Sequence, residues 1–367
     1  MHNIKNSKTI NEMKTVKLFK NISFAAIITL ALAACEHSVK TKTQVHEDGS
    51  IDKMIVLSEK GAEGIKKNYF NIGEGTGWSI SVDSVKTRQP NDSTLKAKYS
   101  YTFQKSFRSV ADANAELATP NDSLFRISSQ FKKQFRWFYT HYAYSETYHQ
   151  LNRFALPITD YLTEADRQFI RQLPAEGGKI SKADSLFLKK LNERIFDEYG
   201  PRACFEEFFA SLLRFSDNRY AENLNKNKEK IFRAFKSDES GFNFFSDSNN
   251  GKSFDIISPK MADSLGIDRN SKAYKASMQL LESKIDFAGW AQHGTFQHCT
   301  ELDGELVKHN ADSVSGNRYY WSPPYLKFAF EDYTMQVTTR KPNLWAWGIT
   351  VLVLGATAWQ LMRKKTY

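Results

Sequence analysis

The chain is poor in cysteine: its 367 residues hold only Cys35, Cys204 and Cys299. No C-x-x-C pair occurs, and His293, His298 and Cys299 do not have zinc-ligand spacing. A zinc site wants four ligands, and neighbours on a strand such as His298 and Cys299 point to opposite faces. No G-x-S-x-G elbow is present, so the sequence supplies no frame for bringing Ser, His and Asp together. Internal repeats are absent. The one glycine-rich stretch, residues 73–77, is followed by a strand pattern and not a helix, which makes it a turn and not a phosphate cradle. A clustered basic face is also missing, despite a formal charge of +10. Residues 1–35 hold five lysines against Glu12, and Arg363, Lys364 and Lys365 sit at the other end, leaving 43 basic against 40 acidic residues between. The excess charge is terminal, which excludes nucleic acid as a partner.

The ends are the informative parts. Lys14, Lys17 and Lys20 precede the uncharged residues 22–34, and the segment closes on Leu32-Ala33-Ala34-Cys35. A basic region, an apolar run and small residues before a cut form a secretory signal. Met13 offers a second start, because residues 1–12 add nothing to that signal. At the other end, residues 344–362 carry no charge, about 28 Å of helix against a hydrocarbon layer of about 30 Å. Trp345 and Trp347 mark one interface and Trp359 the other, with Arg363, Lys364 and Lys365 on the cytoplasmic side.

Between the ends, period-two alternation predicts a hairpin over residues 38–45 and 50–57, turning at His46-Glu47-Asp48-Gly49, and strands over 78–85 and 94–107. Phe125, Ile127, Phe131, Phe135, Trp137 and Tyr139 fall on odd positions and predict one long half-buried strand. The stretch that follows is dense in aromatics. Two readings stand for Trp137, Tyr139, Tyr142, Tyr144 and Tyr148: packing against the neighbouring part of the protein, or a surface contacting lipid or glycan. From residue 157 to about 291 the period is helical. Thr163 with Asp166 and Ser181 with Asp184 predict helix starts, and Gly200-Pro201 predicts a stop and a restart. Phe205, Phe208, Phe209, Leu212 and Phe215 then face inward, residues 223–236 and 271–287 form further helices, and 237–258 read as a loop. Strand patterns return at 295–299, 304–307, 318–321 and 333–339. Cys204 and Cys299 leave two readings open: a disulfide worth about 4 to 5 kcal/mol for a loop of about a hundred residues, or two free thiols. The acids Glu206-Glu207 and Glu301-Asp303 read as solvated surface charge and not as an acid/base pair.

The expected fold is α+β: an antiparallel sheet from the N- and C-terminal segments, a helical insertion, and one C-terminal transmembrane helix. Its divisions are a signal peptide (1–34), a strand-rich part (35–156), the insertion (157–291), late strands (292–342), the membrane helix (343–362) and a basic tail (363–367).

The segment ending on Cys35 resembles a bacterial lipoprotein signal. The resemblance implies a diacylglycerol on the cysteine thiol, cleavage before it and an acyl chain on the new amino terminus; no other cofactor is expected. The layout of Cys35, a hairpin turning at Asp48-Gly49-Ser50, a late hairpin from Asn310 through Gly316-Asn317 to Trp321 and a strand feeding a terminal helix is similar to LppM-type lipoproteins. That resemblance implies an envelope role without known catalysis. The expected function is a non-enzymatic, membrane-anchored envelope lipoprotein binding a membrane lipid or an envelope protein at the extracytoplasmic surface of a bacterial inner membrane, with the main domain periplasmic and the C-terminus cytoplasmic. The alternative is an envelope hydrolase acting on glycan or peptide, which requires histidines or carboxylates converging in a cleft.

Overall fold

A computed structural model describes residues 37–364 except 60–68, 71, 73–75, 89–94, 119–124, 238–261 and 264–265. The signal segment with Cys35, most of the glycine-rich stretch, most of the 237–258 loop, and Lys365 lie outside the described residues.

Alternation of apolar and polar side chains builds two sheets. β1 (His37–Val45) and β2 (Ile51–Glu59) pair in register as a hairpin. Its turn needs Gly49, whose φ of 88° lies in the left-handed region, and Asp48 accepts from the Ser50 backbone N–H at 3.0 Å. β3 (Ser79–Arg88) and β4 (Leu95–Phe107) extend this sheet beyond β2. A short helix, α1 (Val110–Leu117), capped by Ser109, leads to β5 (Ile127–Phe135) and β6 (Tyr139–Tyr148). The late strands are β7 (Gly294–Leu302), β8 (Glu305–His309), β9 (Ser313–Ser315), β10 (Arg318–Trp321) and β11 (Tyr333–Pro342).

The architecture is α+β, but the early and late strands do not make one sheet. The first sheet has the order β3-β4-β2-β1-β7-β10-β9 and the second β5-β6-β11-β8, so each mixes strands from both ends of the chain. The β1–β7 pair is parallel, and the helical excursion between them supplies the long crossover such a pair requires. The sheets face each other across one core holding Val39, Ile55 and Phe296 from the first with Ile127, Tyr144, Tyr148 and Val337 from the second. The long strand expected over 125–139 is broken at 136–138 by the β5–β6 turn, and its last residues leave the core.

Helices occupy the middle of the chain. Capping boxes at Thr163/Asp166 and Ser181/Asp184 start α2 (Glu164–Gln172) and α3 (Lys182–Arg194). Gly200-Pro201 does not stop the helix. A π-turn over Ile195–Tyr199 carries α3 into α4 (Gly200–Phe215), with the Gly200 N–H donating to the Ile195 carbonyl. Widening the turn ahead of Pro201 relieves the clash of its ring with the preceding turn. In α4, Phe205, Phe208, Phe209 and Leu212 are buried, whereas Phe215, expected inward, is exposed at the helix end. The helix expected over 223–236 is two, α5 (Asn218–Lys226) and α6 (Lys228–Ser237), separated at Asn227. α7 (Lys272–Gln292), capped by Ser271, lays Tyr274, Met278 and Leu281 against α4 and inserts Phe287 and Trp290 into the sandwich, where Trp290 stacks on His37 at 4.7 Å. The final helix is α8 (Leu344–Lys364).

Candidate functional site

β11 runs through Pro342 and Asn343 directly into α8, and the β5–β6 turn packs against that junction. Asn343 ties the two together. Its backbone N–H donates to the Phe138 carbonyl at 2.9 Å and its side-chain N–H group to the carbonyls of Arg136 at 2.7 Å and Trp137 at 3.1 Å, while its Oδ1 accepts from Thr140 at 2.8 Å. Its own carbonyl accepts from Ala346 N–H and begins the helix. Around this knot sits a ring of aromatics. Phe135 stacks on Trp345 at 6.0 Å, Trp137 meets the same indole edge-on at 5.5 Å, and Phe138 packs on Trp347 at 4.4 Å. The Trp137 indole N–H donates to Thr350 Oγ1 at 2.9 Å.

These rings are not core: Phe135 is 55% and Trp137 47% exposed. Beyond Thr350 every residue of α8 from Val351 to Arg363 is exposed. Leu344–Arg363 is long and apolar enough to cross a membrane, with mean hydropathy 1.4 over its most apolar window. An apolar stretch of that length exposed from Val351 to Arg363 presents a surface that water solvates poorly.

Charged residues surround the foot. Lys341 pairs with Glu47 at 2.7 Å, bringing the β1–β2 turn to the same end of the sandwich. The Lys341 ammonium and the hydroxyl of Tyr142, which donates to Glu47 at 3.1 Å, hold that carboxyl below its usual range. Arg340 makes a bidentate pair with Glu305 at 2.8 and 2.9 Å and lies over the Tyr139 ring at 4.4 Å.

Inside the sandwich lies a sealed ionic cluster. Lys53 on β2 pairs with Glu146 on β6, both side chains essentially without solvent contact. Glu146 also accepts from Thr43 at 2.9 Å and Tyr144 at 2.8 Å, and Lys53 donates to Thr43 at 2.9 Å. His298 stands 3.5 Å from Glu146, between the hydroxyls of Thr41 at 2.6 Å and Thr300 at 2.8 Å. Burial pushes His298 down to about 4, so at neutral pH it is an uncharged ring to which two hydroxyls offer one donor and one acceptor. Burial alone would raise the Glu146 carboxyl; the charge that His298 takes up in acid, the Lys53 ammonium and the hydrogen bonds from Lys53 and Tyr144 outweigh it and bring Glu146 down to about 2. With His298 neutral, Lys53 is the cation that keeps this carboxylate charged. Closed to substrate on every side, the cluster has the geometry of a structural pin.

Two clefts at the surface of the described residues are small, about 210 and 260 Å³. The first lies between the β1–β2 turn and Asp303, the second on the outer face of the first sheet beside Cys299; both fall short of the ~300 Å³ at which ligand pockets begin.

Of the five aromatics for which packing and a contact surface both stood, three take the packing role. Tyr142, Tyr144 and Tyr148 occupy the inward phase of β6 and are buried, because the alternation that leaves His141, Ala143 and Ser145 half-buried on the outer face turns them to the other sheet. Trp137 and Tyr139 remain at the surface, joined by Phe135, Phe138, Trp345 and Trp347. Trp359 and Arg363 are exposed at the far end of α8, and Lys364 closes the helix. Cys204 and Cys299 are free thiols: Cys204 is buried among the helices, Cys299 half-buried on the outer face of β7, so the disulfide is not made. His293 ends α7, with Nδ1 against the Gly289 carbonyl at 2.8 Å. Glu206 pairs with Arg202 and Lys228, Glu207 with Lys284, and Glu301 with Lys42 and Arg318. Sequence reading missed Lys53 and Glu146, though each stands out as a charge on the apolar phase of an alternating strand, Lys53 between Ile51 and Ile55, Glu146 between Tyr144 and Tyr148.

No family model matches this sequence, and no curated protein matches it significantly. Among solved structures, the chain is similar to the folded domain of the Mycobacterium tuberculosis LppM protein, determined by NMR, over 84% of this chain and 91% of that one. The identity is 5% and the TM-score 0.25, a level that carries no argument about function.

Proposed function

We propose that this protein is a doubly anchored, non-enzymatic envelope lipoprotein whose domain is held at the extracytoplasmic face of a bacterial inner membrane, where it binds a lipid or an envelope protein. The observation that carries the reading is α8: an apolar helix of spanning length, exposed from Val351 onward, with tryptophans at its first turn and Arg363 at its far end. The basic end belongs on the cytoplasmic side, which puts the sandwich outside. In this reading Cys35 carries the diacylglycerol and acyl chain.

Covalent reach limits how the two anchors cooperate. Cys35 precedes His37 by two residues, and β1 then runs about 26 Å to the turn that Lys341 holds at the foot of α8. A lipid on Cys35 therefore attaches at the end of β1 remote from the helix. For both to enter one bilayer, the axis of β1 lies along the membrane surface. The hydrolase alternative needs an open convergence of acid and base, and Glu146 with His298 is sealed.

Mass spectrometry of the protein purified from native membranes tests the proposal. The expected species begins at Cys35, carries the mass of a diacylglycerol thioether plus one acyl chain, and resists carbonate extraction. A mature chain recovered unacylated and freely dissolved refutes it.

A further inference from the structure

We infer that the β5–β6 turn is a second, peripheral membrane contact, in which Phe135 and Trp137 enter the headgroup layer beside α8 and Lys132 and Arg136 hold anionic phospholipid headgroups. The inference rests on the reading of α8 as membrane-spanning and goes beyond it. Depth is the first argument. Thr350 lies six residues into α8, about 9 Å along its axis from Leu344, and the Trp137 indole bonds to it. If Trp345 and Trp347 stand at the interface, the turn that reaches Thr350 stands at or below the same level. Composition is the second. The outer face of the same sheet is polar, with Ser128, Gln130, Gln134, Thr334 and Gln336, whereas the turn presents Phe135, Trp137 and Phe138 in four residues. Charge is the third. Nearby cations are engaged, Lys341 by Glu47, Arg340 by Glu305 and Lys133 by the Glu47 carbonyl. Exposed Lys132 and Arg136 have no acidic partner among the described residues. Two unneutralised cations flanking exposed rings match the phosphodiester and acyl boundary of an anionic leaflet better than they match water.

The test uses the full chain in nanodiscs of phosphatidylcholine alone and of phosphatidylcholine with about one-third phosphatidylglycerol. Hydrogen exchange is followed in peptides covering 130–138 and α8. Protection of α8 in both discs is expected, with the turn exchanging more slowly in the anionic disc. Lys132→Gln and Arg136→Gln, both exposed and away from the core, should each reduce that anionic slowing about fivefold and leave α8 unchanged. Equal exchange of the turn in both discs, or no effect of either substitution, overturns the assignment of anionic lipid while leaving the anchor reading intact. An unprotected α8 overturns the anchor reading, and this inference with it.

Discussion

Replacing Lys53 with Met tests whether the sealed cluster holds the two sheets together. The substitution keeps most of the side-chain volume but leaves Glu146 with hydrogen bonds from Thr43 and Tyr144 and no cation. Solvent cannot enter to screen it, since both side chains of the pair are at most 1% exposed. Stranding one member of a buried pair costs about 3 to 5 kcal/mol. Glu146→Leu strands Lys53 in the same way and should cost a similar amount. Combining them removes both charges; the double variant loses only the hydrogen bonds of Thr43 and Tyr144, about 1 kcal/mol each. At about 2 to 4 °C per kcal/mol for a chain of this size, each single change should lower the melting temperature by about 6 to 20 °C and the double by about 4 to 8 °C. The assay is a thermal melt in detergent at neutral pH, followed by near-ultraviolet circular dichroism, which reports the packed tyrosines around the pair. Single losses that simply add in the double variant would refute the reasoning, because independent costs mean the two groups do not compensate each other.

Two further outcomes follow from the same geometry. His298 and His37 are both held at about 4 by burial, against 6.5 in the unfolded chain. The unfolded state binds protons first, so stability is complete above pH 6.5 and falls as pH drops toward 4; Glu146, held at about 2 against 4.5, adds a further loss below pH 4.5. Melting temperature against pH should show this limb, and His298→Asn should flatten its upper part. Asn343→Ala removes the bonds to Arg136, Trp137 and Thr140 that join the turn to α8. Hydrogen exchange at 136–138 should rise about tenfold or more, with the sandwich melting point unchanged.

Much of the fold was legible because local periodicity and tertiary burial agree. The β1–β2 hairpin, the capping boxes of α2 and α3 and the Tyr274-Met278-Leu281 stripe are each visible within a dozen residues. The failures share a cause: they depend on partners far away in sequence. Nothing local tells β1 to pair in parallel with β7, some 250 residues later, or tells the early and late strands to divide between two sheets. The inward phase of Tyr142, Tyr144 and Tyr148 was readable as alternation, but which phase meets the core depends on the second sheet. Gly200-Pro201 misled because a π-turn over Ile195–Tyr199 widens the helix ahead of the proline ring and lets it continue, whereas composition alone predicts a break. The aromatic ring at the foot of α8 was half visible: Trp345 and Trp347 stood out at the end of an uncharged run, but only the hairpin's closure brings Phe135 and Trp137 to them.

The buried pair and the aromatic foot of α8 are linked through register. Because side chains alternate along a strand, sliding β6 by one residue against its neighbours would turn Glu146 outward and bring Ser145 or Thr147 inward, leaving Lys53 alone in the core. A slip of two residues keeps the tyrosines inward yet puts Tyr144 or Tyr148 where Glu146 stood, so the pair also excludes arrangements that apolar packing alone would tolerate. The same register sets Tyr142 opposite Glu47 and Tyr139 opposite Pro342, the contacts that close the β1–β2 turn and the β5–β6 turn around the start of α8. A charge sealed in the centre thus helps determine which aromatic residues meet at the edge.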